Sequence, residues 1–98
     1  MSDAITIPPA LLLAASAVYG VSVPAILGRR RDRAVVLARH AVMYTLRNES
    51  GLSLSEIGQA MDRDHTSVLA AVASIEAKAV KNARIALSLA ALRREVVR

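Results

Sequence analysis

This chain must build a core almost without rings. It has no Phe and no Trp, and its only aromatic residues are Tyr19 and Tyr44. Leu, Val, Ile, Ala and Met must fill the interior. Ala, small and a strong helix former, is the commonest residue. Closely packed helices suit that mixture, and no alternating β-branched run with hairpin turn signals competes with them. The expected fold class is all-α, a compact helical domain. The 98 residues suit one domain over 1–98. A chain of that size buries about two-thirds of its unfolded surface, enough for one modest core.

Breakers and caps divide the chain. Residues 1–7 read as a loose start. Pro8 and Pro9 can open a helix, because a first-turn amide needs no partner. That helix runs about Ala10–Tyr19 and stops at Gly20. Val21–Gly28 reads as a connector holding a short turn, Pro24–Leu27. A long helix over about Asp32–Asn48 follows, with Asp32 as its cap. Val35, Ala38, Val42 and Leu46 recur along it at helical spacing. Ser53-Leu54-Ser55-Glu56 is a capping-box pattern and opens a short helix ending near Met61. Asp62-Arg63 make a turn, and Asp64 is placed to cap the next helix. Ile85, Leu89, Leu92 and Val96 mark a carboxy-terminal helix within 76–98. Lys81-Asn82 is the best place for a break before it, although neither Gly nor Pro enforces one. That last helix is apolar enough to fold back on the first or to pair with another copy.

Charge and composition narrow the function classes. The net charge is +5 and the isoelectric point is near 10.8, which suits a polyanionic partner. With no Cys, disulfides, thiolate metal sites and thiol nucleophiles are excluded. The stretch Ile5–Gly28 lacks charge and precedes Arg29–Arg31, as a membrane span with a basic flank would. Pro8, Pro9, Gly20 and Pro24 cut it up, and its longest apolar piece, Ala10–Val18, is too short to span a bilayer. No basic amino-terminal region announces a secretory signal. A cytoplasmic, nucleoid-associated protein without a membrane partner is expected.

The functional signal lies in Ser53–Ala71, SLSEIGQAMDRDHTSVLAA, with the basic cluster Gly28–Arg33, GRRRDR, upstream. Leu54, Ile57 and Met61 give one short helix an apolar side, and Val68, Leu69 and Val72 give the next its own. Packing those sides together leaves His65, Thr66 and Ser67 outward at the start of the second helix. A helix-turn-helix places such residues on base edges in the major groove. The cations of the upstream loop suit phosphates or a minor groove. Asp62, Asp64 and His65 carry groups that metal or acid–base chemistry uses. The only other His is His40, however, and supporting ligands are lacking. No metal, cofactor or catalytic site is expected.

These residues resemble the carboxy-terminal DNA-binding domain of the bacterial replication initiator DnaA. The likeness rests on Leu52–Gly58, LSLSEIG, then Arg63–Val68, RDHTSV, together with the basic loop GRRRDR and Arg39–Tyr44, RHAVMY. It covers about 11–75. It implies that Arg31 enters a minor groove over A·T pairs, and that Asp64, His65, Thr66 and Ser67 meet bases in the major groove. It implies phosphate contacts from Arg29, Arg30, Arg33, Arg39, His40 and Arg63 and from the backbone of Leu54 and Ser55. The implied partner is double-stranded DNA carrying a short asymmetric site like a DnaA box. The implied role is modulation of replication initiation or of transcription. A repressor with an unrelated operator, or a helical protein-interaction module, are the alternatives. The chain departs from the pattern in several places. Its turn, Met61-Asp62-Arg63, is short and lacks Gly. Ser67 replaces a Thr, Ala70, Ala73 and Ser74 replace later polar or basic positions, and Asp32 puts an anion inside the basic loop. No phosphate-binding Gly-rich loop with Lys occurs, so no use of ATP by these residues is expected. Lys78, Lys81 and Arg84 read as a solvated helix face.

Overall fold

The computed structural model describes residues 6–96. Six helices account for about three-quarters of them: α1 (Pro9–Tyr19), α2 (Val23–Leu27), α3 (Arg33–Asn48), α4 (Leu54–Met61), α5 (His65–Lys81) and α6 (Ala83–Arg93). The described residues contain no strand, as the aromatic-poor, Ala-rich composition predicts. Local chemistry sets most of the boundaries. Pro8 and Pro9 open α1, and Gly20 ends it at φ 68°, its amide bonding to the Ser16 carbonyl. Ser22 caps α2 by accepting from the Ala25 amide at 3.2 Å. The capping box of α4 is complete: the Ser53 hydroxyl accepts from the Glu56 amide at 3.0 Å, and the Glu56 carboxylate accepts from the Ser53 amide at 2.9 Å. The Ser53 amide, and secondarily the Ser53 hydroxyl, hold the Glu56 carboxyl below its ordinary pKa. Asn82 ends α5 and caps α6, accepting from the amides of Arg84 and Ile85 at 3.0 and 3.3 Å.

Helix α3 is the axis of the molecule and packs against each of the other five. Ala38, Ala41 and Val42 on it are fully buried, and Met43 and Leu46 nearly so. Leu11 and Ala15 of α1, Ile57 and Met61 of α4, Val68 and Ile75 of α5, and Leu92 of α6 close around them as one core. The small alanines let helices approach closely where rings would hold them apart. Helix α6 folds back onto α1, α3 and α5. It is tied down by a hydrogen bond between the Tyr19 and Ser88 hydroxyls and by an Arg93–Glu49 ion pair at 3.1 Å. Among the described residues, no helix is long and apolar enough to cross a membrane.

Five sequence expectations need correction. Leu69, expected on the packed apolar side of the helix after the turn, is 55% exposed. Ile7, read as part of a loose start, is buried in the core; residues 1–5 lie outside the described part. The segment 76–98 is not one helix. α5 continues through Lys81, and the separate carboxy-terminal helix begins at Ala83. Asp32 occupies the N-cap position of α3 but makes no cap bond, because its carboxylate is taken by Arg30 at 2.6 and 3.1 Å. Asp64 does likewise at α5, its carboxylate accepting the Thr66 hydroxyl at 2.6 Å. In both places a side-chain donor two residues away reaches the carboxylate in place of the capping amide.

Candidate nucleic-acid interface

The tightest backbone geometry in the molecule joins α4 to α5. Asp62 ends α4 in the left-handed region, at φ 55° and ψ 54°, and its amide bonds to the Gly58 carbonyl. Asp is one of the few non-Gly residues that visit this region, which is how the turn closes without glycine. The glycine requirement falls one helical turn earlier instead. A Cβ on Gly58 would lie 2.4 Å from the Arg63 carbonyl oxygen. The Arg63 amide bonds back to the Gly58 carbonyl at 2.8 Å. Chain crossing this close to Gly58 fixes how α5 leaves the turn.

The start of α5 stands clear of the body. Asp64, His65, Thr66 and Ser67 are all exposed, while Val68 is fully buried and anchors the turn beneath them. The Asp64 carboxylate orients its neighbours, accepting the Thr66 hydroxyl and lying 3.3 Å from His65 Nδ1. The Thr66 bond, reinforced by His65, holds the Asp64 carboxyl below its ordinary pKa. A connected set of short donors and acceptors results, at a helix end whose free amides favour anions.

The basic loop between α2 and α3 is fastened to this turn. The Arg63 guanidinium donates to the carbonyls of Met61 and Asp62 at 2.8 and 3.2 Å and also to the Gly28 carbonyl across the gap. Arg29 answers from the other side, reaching the Asp62 carboxylate at 2.9 Å and its carbonyl at 3.2 Å. Beneath the loop, buried Arg39 donates to the carbonyls of Ile26 and Ala25 at 2.8 and 3.0 Å and so satisfies the end of α2. Burial, with the charges of Arg63, Arg29 and Arg31, pulls the Arg39 pKa down. Burial and Arg29 do the same to Arg63, against the opposing pull of Asp62.

Arg31 is the contrast. It is exposed and makes no ion pair or side-chain hydrogen bond among the described residues. It lines a concavity with Arg29, Arg39, His40, Arg63 and Ser67. A second concavity, lined by Ser55, Gln59, Asp64 and His65, shares Arg29, Arg63 and Ser67 with the first. The two run together along one side of the molecule, with Arg31 toward one end and His65 toward the other.

Each expected contact residue can be placed against that strip. Arg29, Arg31, Arg39, His40, Ser55, Arg63, Asp64, His65 and Ser67 line it. Arg30 is exposed in the loop, paired with Asp32, and Thr66 is exposed beside His65. Leu54 is partly buried at the amino end of α4. Arg33 is exposed but lines a different groove, with Lys78 and Lys81. Gln59, missed in the sequence, faces the same concavity as Asp64 and His65. The one signal available was its place on the helix side opposite Ile57 and Met61.

His40 is half-buried, and its Nδ1 lies inside without a hydrogen-bond partner. Burial lowers its pKa, and the charges of Lys78 and Arg39 lower it further. In the unfolded chain the imidazole therefore takes up a proton at a higher pH than in the folded one. The unfolded state binds more protons between the folded value and about 6.5, so stability falls as pH drops through that window. His40→Gln is expected to flatten the loss of melting temperature between pH 7 and pH 5. An identical pH profile for the parent and His40→Gln would show that this burial has no such effect.

The family described as bacterial dnaA protein helix-turn-helix matches residues 10–75. This chain belongs to the DnaA helix-turn-helix family. The chromosomal replication initiator protein DnaA of Roseiflexus castenholzii is 38% identical over 91 residues, 92% of this chain and 19% of that protein. The DnaA of Herpetosiphon aurantiacus is 42% identical over 79 residues, 80% of this chain and 17% of the relative. That of Thermomicrobium roseum is 46% identical over 70 residues, covering 70% and 15%. The chain thus spans less than a fifth of the length of these relatives. The matched DnaA region contains α1 to α4, the basic loop, the turn and α5 through Ile75. The match is to the helix-turn-helix region of DnaA, and membership supports DNA binding.

Proposed function

We propose that this domain reads a short asymmetric duplex site like a DnaA box, as a monomer and through both grooves. The observation that carries this reading is the joint presentation of Arg31, without an ion-pair or hydrogen-bond partner among the described residues, and of His65 and Ser67, on two concavities that share Arg29, Arg63 and Ser67. Arg31 enters an A·T-rich minor groove, whose narrow walls concentrate negative potential. Asp64, His65, Thr66 and Ser67 meet base edges in the adjoining major groove. The Arg29–Asp62 and Arg30–Asp32 pairs are exposed and contribute little to the fold. Both cations can therefore exchange carboxylate for phosphate at little cost. His40 and the backbone at Leu54 and Ser55 complete the phosphate contacts. Arg39 and Arg63, spent largely on carbonyls, position the loop and contribute field. Because its relatives are named as replication initiators, we infer that the domain acts on initiation by occupying such sites.

Selection from a random duplex pool tests the site. Recovery of sequences unlike a DnaA box would replace this reading with an unrelated operator. Arg31→Ala is expected to relax preference at the A·T positions alone, and His65→Ala at the major-groove positions alone, each by about 1–3 kcal/mol. Unchanged site preference in both variants would defeat the two-groove reading.

A further inference from the structure

The cations of the expected interface are mostly engaged within the protein. Arg29 and Arg30 are paired with carboxylates, and Arg39 and Arg63 with carbonyls. Four other cations converge where α5 meets α6 with no such partner. Arg33, Lys78 and Lys81 line one groove, which continues across Arg33, Asn82 and Ile85 into a second groove holding Arg84. All four are exposed, and none has an ion pair or side-chain hydrogen bond among the described residues.

Folding does not account for this cluster. Lys78 and Lys81 sit in the last turn of α5, where a helix favours cations. Arg33 and Arg84, however, sit in the first turns of α3 and α6, where the helix field opposes them, and neither turn contains an acidic residue. Asp32, next to Arg33, is taken by Arg30. The cluster also adjoins the interface. Lys78 acts electrostatically on His40, and His40 shares a concavity with Arg31.

We propose that the α5–α6 corner is a second phosphate-binding surface, engaging the backbone of duplex that flanks the recognised site. This rests on the duplex-binding reading above and extends it. The molecule is 42 Å in its longest dimension. The 17 residues of α5 separate His65 from Lys81 by roughly 24 Å at about 1.5 Å per residue, so the corner lies well away from the base-reading end.

The test compares two duplexes, one trimmed to the selected site and one extended by about a helical turn, roughly 10 base pairs, on each side. The full chain is measured against Lys78→Gln/Lys81→Gln/Arg84→Gln, with melting curves confirming that both are folded. A charge-keeping variant, Lys78→Arg/Lys81→Arg/Arg84→Lys, serves as control. On the extended duplex the Gln variant is expected to bind more weakly, with a salt slope shallower by about 3, one unit per phosphate contact. On the trimmed duplex it should match the parent, and the control should match the parent on both. Equal behaviour of parent and Gln variant on the extended duplex overturns the proposal, as does an equal loss on both duplexes. Unchanged DNA binding, with capture by anionic lipid vesicles lost in the Gln variant, also overturns it and assigns the corner to a membrane surface. A parent chain that binds neither duplex sinks the DNA-binding reading itself, a result separate from any of these.

Discussion

Arg39→Ala is expected to cost the fold about 3–5 kcal/mol. The guanidinium is 7% exposed and donates to two carbonyls at the end of α2. Hydrogen bonds to a charged group contribute about 1.5–3 kcal/mol each, and removing the donor strips the Ile26 carbonyl of its partner in the interior, while the Ala25 carbonyl keeps only the Gly28 amide at 3.2 Å. The Arg stem is also lost from packing. At about 4–8 °C per kcal/mol for a domain of this size, the melting temperature should fall by more than about 10 °C. Arg39→Lys should recover only part of this, because a single ammonium lacks the fork that spans two carbonyls. The result also decides what the residue does. If Arg39→Ala melts like the parent and only weakens DNA binding, with a salt slope shallower by about 1, then Arg39 is a phosphate ligand and not a clasp.

Gly58→Ala should do the most damage to the interface for the smallest chemical change. By intrinsic propensity, Ala is favoured over Gly inside a helix by about 1 kcal/mol. Here the new methyl would meet the Arg63 carbonyl oxygen at 2.4 Å, and that oxygen belongs to backbone with no rotamer to yield. Overpacking of this kind costs about 1–3 kcal/mol, so the sign is destabilising. Relief requires α5 to swing away from α4, which moves His65 and Thr66 relative to Arg31. Site-specific affinity is therefore expected to drop further than stability alone explains, when measured well below the melting transition. Asp62→Gly is the matched control. It removes the left-handed strain at φ 55° and loses one exposed ion pair, so stability should hold or rise by up to about 1 kcal/mol. A Gly58→Ala protein as stable and as tight-binding as the parent would mean that the crossing at Arg63 is looser than described.

What could be read in the sequence was local. The Ser53–Glu56 box, the breaker at Gly20, the pause at Lys81-Asn82 and the apolar spacing along α3 each act within a turn or two of chain, and the structure has all four. What stayed hidden depends on partners far along the chain. The bonds of Arg39 to the Ile26 carbonyl and of Arg63 to the Gly28 carbonyl were hidden because those carbonyls lie 13 and 35 positions away. Ile7 looked loose because its partners come from other helices. The N-cap positions of Asp32 and Asp64 were legible, but the competition from Arg30 and Thr66 was a matter of rotamers. The missing turn glycine drew attention to Asp62. The steric demand itself sits on Gly58, which only the crossing of two segments reveals. The resemblance supplied the expected contact residues as a set; the structure adds which of them hold protein partners.

The fastening of residues 28–32 has a thermodynamic consequence. Ordering a free arm takes roughly 1–2 kcal/mol of backbone entropy per residue, and a basic arm that is disordered alone must lose that entropy when it meets DNA. Here Arg63 on the Gly28 carbonyl and Arg29 on Asp62 order the arm during folding. Association should therefore lack the large negative heat-capacity change of coupled folding, and its temperature dependence should report little more than the contact surface itself.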